Sequence, residues 1–192
     1  MIPFSEIEIF VTAGGKSSRM GQDKGLIEVA GKPMIKHVLD MLKANNLTHT
    51  IIANNVAYLK LNTKCIADII HDKGPMGALY TALATCNKSM VLLIGCDSPF
   101  IPFEAINRLI QNAHFNQITV AKIADKLNPL LAIYPKNIIQ NVLNCIENNK
   151  LKMQDIIFGS LHQIIEMDDL LVKYPNGFVN LNEPNDLIRW RT

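Results

Sequence analysis

The stretch "MVLLIGCDSPF", Met90 to Phe100, decides how this chain is read. Its first six residues are an almost unbroken apolar run. A strand with one wet face would alternate apolar and polar; a continuous run is the mark of a central parallel strand covered on both faces. The run stops at Gly95, and Asp97 follows with Ser98 and Pro99, which places one carboxylate at the edge of the sheet. A carboxylate oxygen there is a hard ligand suited to Mg2+. The same residue could equally be a capping aspartate ahead of the next helix.

Working outward, both flanks read as helices. Residues 75–85 set Met76, Leu79, Tyr80 and Leu83 on one face, and 102–113 does the same with Phe103, Ile106, Leu109 and Ile110. Toward the N-terminus, residues 7–12 form a buried strand stopped by glycine, 33–44 a helix through Ile35, Val38, Leu39 and Leu42, and 50–53 a strand ended by Asn54-Asn55. A further strand is expected to end at Ile70. Toward the C-terminus, 117–124, 130–134 and 163–167 are strand candidates, 138–146 a helix and 183–190 a short closing helix. Strands alternating with helices predict an α/β fold: one Rossmann-like, three-layer domain over 1–192, with a mainly parallel sheet and helices on both faces. Ligands of such sheets bind at the carboxyl ends of strands, here after Thr12, Ile70 and Gly95.

Each of those ends carries useful chemistry. After Thr12 comes "TAGGKSSRMGQDK". It is neither a P-loop, since Phe10 stands where the first glycine is needed, nor a G-x-G-x-x-G loop, since Gly14 and Gly15 are adjacent. Adjacent glycines still let the backbone approach anionic oxygens, and Lys16, Arg19 and Lys24 supply positive charge. A surface turn with solvated cations would look the same. Asp72 is expected at the end of the strand that closes at Ile70, where a plain acidic helix entry would also suit it. Together, a basic glycine loop and two aspartates at one sheet edge are what phosphoryl or nucleotidyl transfer needs.

The bulk properties exclude other classes. Among 192 residues, the net charge of +2 is too mild to argue for nucleic acid or membrane partners, and no apolar run reaches membrane-span length. Glu6 and Glu8 stand where a signal peptide would be basic and then apolar, so the expected compartment is the cytoplasm. Cys65, Cys86, Cys96 and Cys145 lack zinc or redox spacing and read as buried reduced thiols. The five histidines are isolated and receive no catalytic role.

The ordered set "TAGGKSSRMGQDK", "GKP", "GPMGAL", "LLIGCDSPF", "NPLLAIY" and "FVNLNEPNDLIRW" resembles the molybdenum cofactor guanylyltransferase family, also called molybdopterin-guanine dinucleotide synthesis protein A. The likeness runs from about residue 8 to residue 190. The first motif is common to many nucleotidyltransferases; "FVNLNEPNDL" is the most family-specific piece. The resemblance implies transfer of GMP from GTP to the phosphate of molybdopterin, with Mg2+ and release of pyrophosphate. It implies that the backbone of Thr12, Ala13, Gly14 and Gly15 cradles GTP and that Lys24 contacts the nucleotide phosphates; with the loop's own Arg19 and with Asp97, Lys24 makes up the candidate catalytic set. It further implies that Asp72 contacts GTP, that Asp97 binds GTP and the metal, and that Asn180 and Asn182 meet molybdopterin. Asn54 matches a nucleotide-contacting asparagine if one residue is gapped; without the gap Ala53 faces it. Thr12 stands where the family usually has leucine. Transient contact with proteins that deliver the cofactor is implied as well. A nucleotidyltransferase with another acceptor, such as a sugar phosphate or phospholactate, or with another NTP, stays open, as does a non-catalytic GTP-binding module.

Overall fold

The computed structural model describes residues 2–13 and 23–190. Gly14, Gly15, Lys16 and Arg19 of the glycine loop lie outside the described residues. The strands are β1 (Ile7–Thr12), β2 (Glu28–Val29), β3 (Lys32–Pro33), β4 (His49–Ile52), β5 (Cys65–Ile66), β6 (Met90–Gly95), β7 (Ile118–Ile123), β8 (Lys126–Pro135) and β9 (His162–Glu166). The helices are α1 (Met34–Ala44), α2 (Gly74–Thr85), α3 (Phe103–Asn112), α4 (Ile139–Glu147), α5 (Met153–Phe158) and α6 (Asp168–Lys173). Seven strands form one sheet in the order β5-β4-β1-β6-β8-β7-β9. All neighbours run parallel except those of β8, which is antiparallel to both β6 and β7.

Alternating side chains divide the core into two layers. Ile7, Ile9 and Val11 of β1, with Met90, Leu92 and Ile94 of β6, face α1, α3 and α6. Phe10, Val91 and Leu93 face α2, α4 and α5. Every residue of β6 is buried, as its apolar run demands. Burying each large aliphatic side chain contributes about 1.5–3 kcal/mol against the entropy of ordering it. A third cluster joins Ile27, Val29 and Met34 to Leu181 and Leu187. It closes the C-terminal segment over the β2–β3 hairpin, and Ala30 N–H donates to Trp190 O at 2.9 Å.

Several expectations are corrected. The strand expected to end at Ile70 is only Cys65–Ile66, so Asp72 sits in the turn entering α2, at φ +60°, and not at a strand end. β6 is parallel to β1 but antiparallel to β8. β8 begins at Lys126 rather than residue 130, because β7 reaches it through the two-residue turn Ala124-Asp125, both at positive φ. The closing segment is a 3-10 helix, Pro184–Trp190. The elements β2, β3, α5 and α6 are additions that periodicity over a few residues could not reveal. Cys86 and Cys96 are buried, but Cys65 and Cys145 are only half-buried, and none of the four is in a disulfide.

Candidate functional site

The ends of β1, β4 and β5 open onto a cleft of about 620 Å3. Thr12, Ala13, Asn54, Asp68, Asp72 and Leu130 are among its walls. Beside it is a second cleft of about 720 Å3, walled by Asp97, Lys126, Asn128, Gln154, Asn180 and Asn182 among others. Pro75 and Leu130 line both. The topology explains the pair. β8 is antiparallel, so its first residues extend past the end of β6 and divide the ground beyond it.

Lys24 meets Asp97, which stands in the wall of the second cleft. Lys24 Nζ lies 3.4 Å from Asp97 Oδ2 and donates to Asn182 Oδ1 at 2.5 Å. Both charged side chains are largely shielded, 15% and 21% exposed. The C-terminal segment completes the arrangement. Leu181 N–H donates to the Asp97 main-chain oxygen at 2.9 Å. The orientation of the Asn180 amide that satisfies its neighbours donates Nδ2 to Asp97 Oδ2 at 2.8 Å and to its main-chain oxygen at 3.1 Å. Leu181 is fully buried between these two exposed asparagines. Asn180 and Asn182 therefore share one face of this segment, turned toward Asp97 and Lys24.

Gly95 makes room for the carboxylate: a Cβ there would lie 2.6 Å from Asp97 Oδ1 and 3.1 Å from Leu130 Cβ. That cradle and its oxygen donors fit a Mg2+ that takes one carboxylate from the protein and its other oxygens from phosphates and water. Among the described residues, no three His, Cys, Asp or Glu side chains are grouped to hold a metal by themselves.

On the other side of the first cleft, Thr12 and Ala13 form part of the wall, and part of their main chain is engaged within the sheet. Ala13 N–H donates to Ile52 O at 2.9 Å, and Thr12 O accepts Cys96 N–H at 3.0 Å. Asn54, rather than the buried Ala53, reaches the cleft. Its amide donates to Asp68 Oδ2 at 2.8 Å, and its oxygen accepts Asp68 N–H at 2.9 Å.

Asp68 was not foreseen. It stands two residues past β5, and its Oδ1 is buried with no hydrogen-bond partner. Burial raises its carboxyl above the ordinary range, against the lowering effect of the Asn54 amide. The signal available was "KCIAD", where the strand stops before the aspartate, but the apolar Ile69-Ile70 that follows masked it. Asp23 and Asn55, also in the cleft wall, and the buried Tyr58 behind them were missed too. They belong to no local periodic pattern and meet only through the fold.

The sequence profile of the MobA-like NTP transferase domain matches residues 9–163. A Flavobacterium johnsoniae protein named "Probable molybdenum cofactor guanylyltransferase" is 34% identical over 180 residues, covering 93% of this chain and 94% of that protein. A Vibrio atlanticus protein named "Molybdenum cofactor guanylyltransferase" is 28% identical, covering 95% of this chain and 94% of its own. Among solved structures, the molybdopterin-guanine dinucleotide biosynthesis protein A of Archaeoglobus fulgidus shares the fold with a TM-score of 0.79 at 21% identity, over 95% of both chains. A Methanothermobacter nucleotidyl transferase does so with a TM-score of 0.73 at 16% identity, over 96% of this chain and 95% of its own.

Proposed function

The chain belongs to the MobA-like NTP transferase family, and from that premise we propose that it transfers GMP from GTP to the phosphate of molybdopterin, releasing pyrophosphate. The observation that carries this reading is the pair of adjoining clefts sharing Pro75 and Leu130, with Asp97 in the wall of the second and Lys24 3.4 Å from its carboxylate. GTP occupies the first cleft, against Thr12, Ala13, Asn54, Asp68 and Asp72, with Gly14 and Gly15 beside its phosphates. Molybdopterin occupies the second, against Asn180 and Asn182. An acceptor phosphate oxygen then attacks the α-phosphorus of GTP. The bond to the β-phosphate oxygen breaks, and that oxygen leaves on pyrophosphate.

The residues act by position and charge, since this transfer needs no covalent nucleophile. Lys24 neutralises charge on the phosphates, with Arg19 as a second cation. Asp97 would hold a Mg2+, which when bound supplies further charge neutralisation on the phosphate oxygens. Asn180 and Leu181 N–H keep Asp97 in place. Delivery of the acceptor by transient contact with other proteins, in the cytoplasm, completes the proposal. Among the described residues no helix is long and apolar enough to cross a membrane.

The test is a nucleotide screen with a molybdopterin-bearing acceptor, measuring pyrophosphate from each NTP. The reading requires release with GTP that depends on acceptor and Mg2+. Release with CTP instead, or only with a sugar phosphate, assigns another transferase; GTP binding without release assigns a binding module.

A further inference from the structure

Behind Lys24 lies a hydrogen-bonded group that the reaction as described does not use. Asp23 caps the 3-10 turn Lys24–Leu26 by accepting Gly25 N–H on Oδ1 at 3.2 Å. The same oxygen accepts the Tyr58 hydroxyl, and Oδ2 accepts the Asn55 amide at 3.1 Å. Asn55 in turn caps the turn Val56–Leu61 through Ala57 N–H at 2.9 Å. Two side chains from the segment after β4 thus converge on the residue before Lys24.

We infer that Tyr58 and Asn55 are positioning residues that hold Asp23, and through it the main chain on either side of Lys24, so that its ammonium stands beside Asp97. This rests on the proposed role of Lys24.

Two observations carry it. The first concerns the Tyr58 hydroxyl. The ring is fully buried in the core beside β1, and a phenylalanine would fill that space without bringing a polar group inward. A buried hydroxyl is costly without a partner, and here its partner is Asp23. The second concerns Gly25. A Cβ on that residue would collide with the Tyr58 hydroxyl and lie 3.3 Å from Cys96 Sγ. The main chain just after Lys24 is therefore packed between Tyr58 and the residue preceding Asp97. Lysine has a long flexible stem, and anchoring its main chain on both sides limits where its head can go.

The test uses the full chain, with steady-state pyrophosphate release from GTP and acceptor, and thermal melts alongside. Tyr58→Phe should lower kcat about tenfold, the loss of one charge-assisted hydrogen bond, with KM for GTP within about twofold. The hydroxyl is absent from the cleft wall, so the effect belongs in kcat. Asn55→Ala should lower kcat at saturating GTP similarly; Asn55 is in the wall of the first cleft, so its KM is free to move, and the same comparison in a Lys24→Ala background serves if Tyr58→Phe fails to fold. In a Lys24→Ala background, Tyr58→Phe should change kcat less than about twofold, because residues acting through one another are not additive. A merely structural hydroxyl would lower the melting temperature and leave that comparison additive, which overturns the inference. Full kcat in both folded single variants, beside a damaged Lys24→Ala, overturns the relay alone. Full kcat in Lys24→Ala overturns the role of Lys24 and the relay with it.

Discussion

Gly95→Ala is the sharpest probe of the site, because it adds one methyl group and alters no charge. The main chain of Gly95 is not at positive φ, so alanine is tolerated by the backbone. The new Cβ would lie 2.6 Å from Asp97 Oδ1, whereas ordinary contact begins near 3.4 Å, so the carboxylate must retreat by about 0.8 Å. Leu130 on the other side, at 3.1 Å, offers little slack and itself belongs to both cleft walls. Displacing a catalytic group by about 1 Å costs on the order of 10²-fold in rate. Overpacking at a fully buried strand end costs about 1–3 kcal/mol. In a chain of this size each kcal/mol lowers Tm by about 2–4 °C. The assay is pyrophosphate release at saturating GTP and acceptor, beside a thermal melt and a GTP titration. The expected result is a folded, GTP-binding protein that turns over about a hundredfold more slowly. A folded Gly95→Ala protein with normal turnover would refute the claim that Asp97's position governs the reaction.

Asp97→Ala should lose about 10²-fold or more in turnover, while its melt stays within a few degrees because the Leu181 N–H bond is to the main chain and survives. Lys24→Ala should damage turnover far more than Lys32→Ala or Lys36→Ala, since those two lysines pair with Asp40 at 2.6 and 2.9 Å on the surface of α1, contacts worth about 1 kcal/mol at most; equal small effects on pyrophosphate release would remove Lys24 from the site. Asp68→Asn should lower turnover and change the pH dependence of stability. The folded carboxyl is raised by burial, so what Asp68 contributes is full below its unfolded value of about 3.9 and is lost as pH rises through the folded value. The melting temperature of the variant relative to the parent should therefore climb between pH 3.5 and pH 7, and a difference that is flat with pH would contradict the burial argument. Asn180→Ala with Asn182→Ala should weaken molybdopterin binding and lower kcat, with GTP affinity within about twofold. The expected loss of kcat comes from their contacts with Asp97 and Lys24, and titration of each ligand separates it from binding.

The sequence by itself determined those parts of the protein whose signal is local. β6 is legible because six consecutive apolar residues can be buried only inside a sheet covered on both faces. α1 and α3 are legible because their apolar residues recur at helical spacing. Lys24, Asp97, Asn180 and Asn182 were legible as motifs, and the fold brings all four together. What only the tertiary structure decided depends on contacts between distant segments. Burial of Asp68 against Asn54 needs β4 and β5 side by side, and the short β5 has too few residues to show a period. The antiparallel β8 that separates two clefts is fixed by the Ala124-Asp125 turn, whose alanine carries no turn signature. The packing of Tyr58 and Cys96 around Gly25 joins residues more than thirty positions apart, and Asn182 reaches Lys24 across 158. Such contacts exist because burying apolar surface draws the segments into one core, and only then do the polar groups they carry find one another.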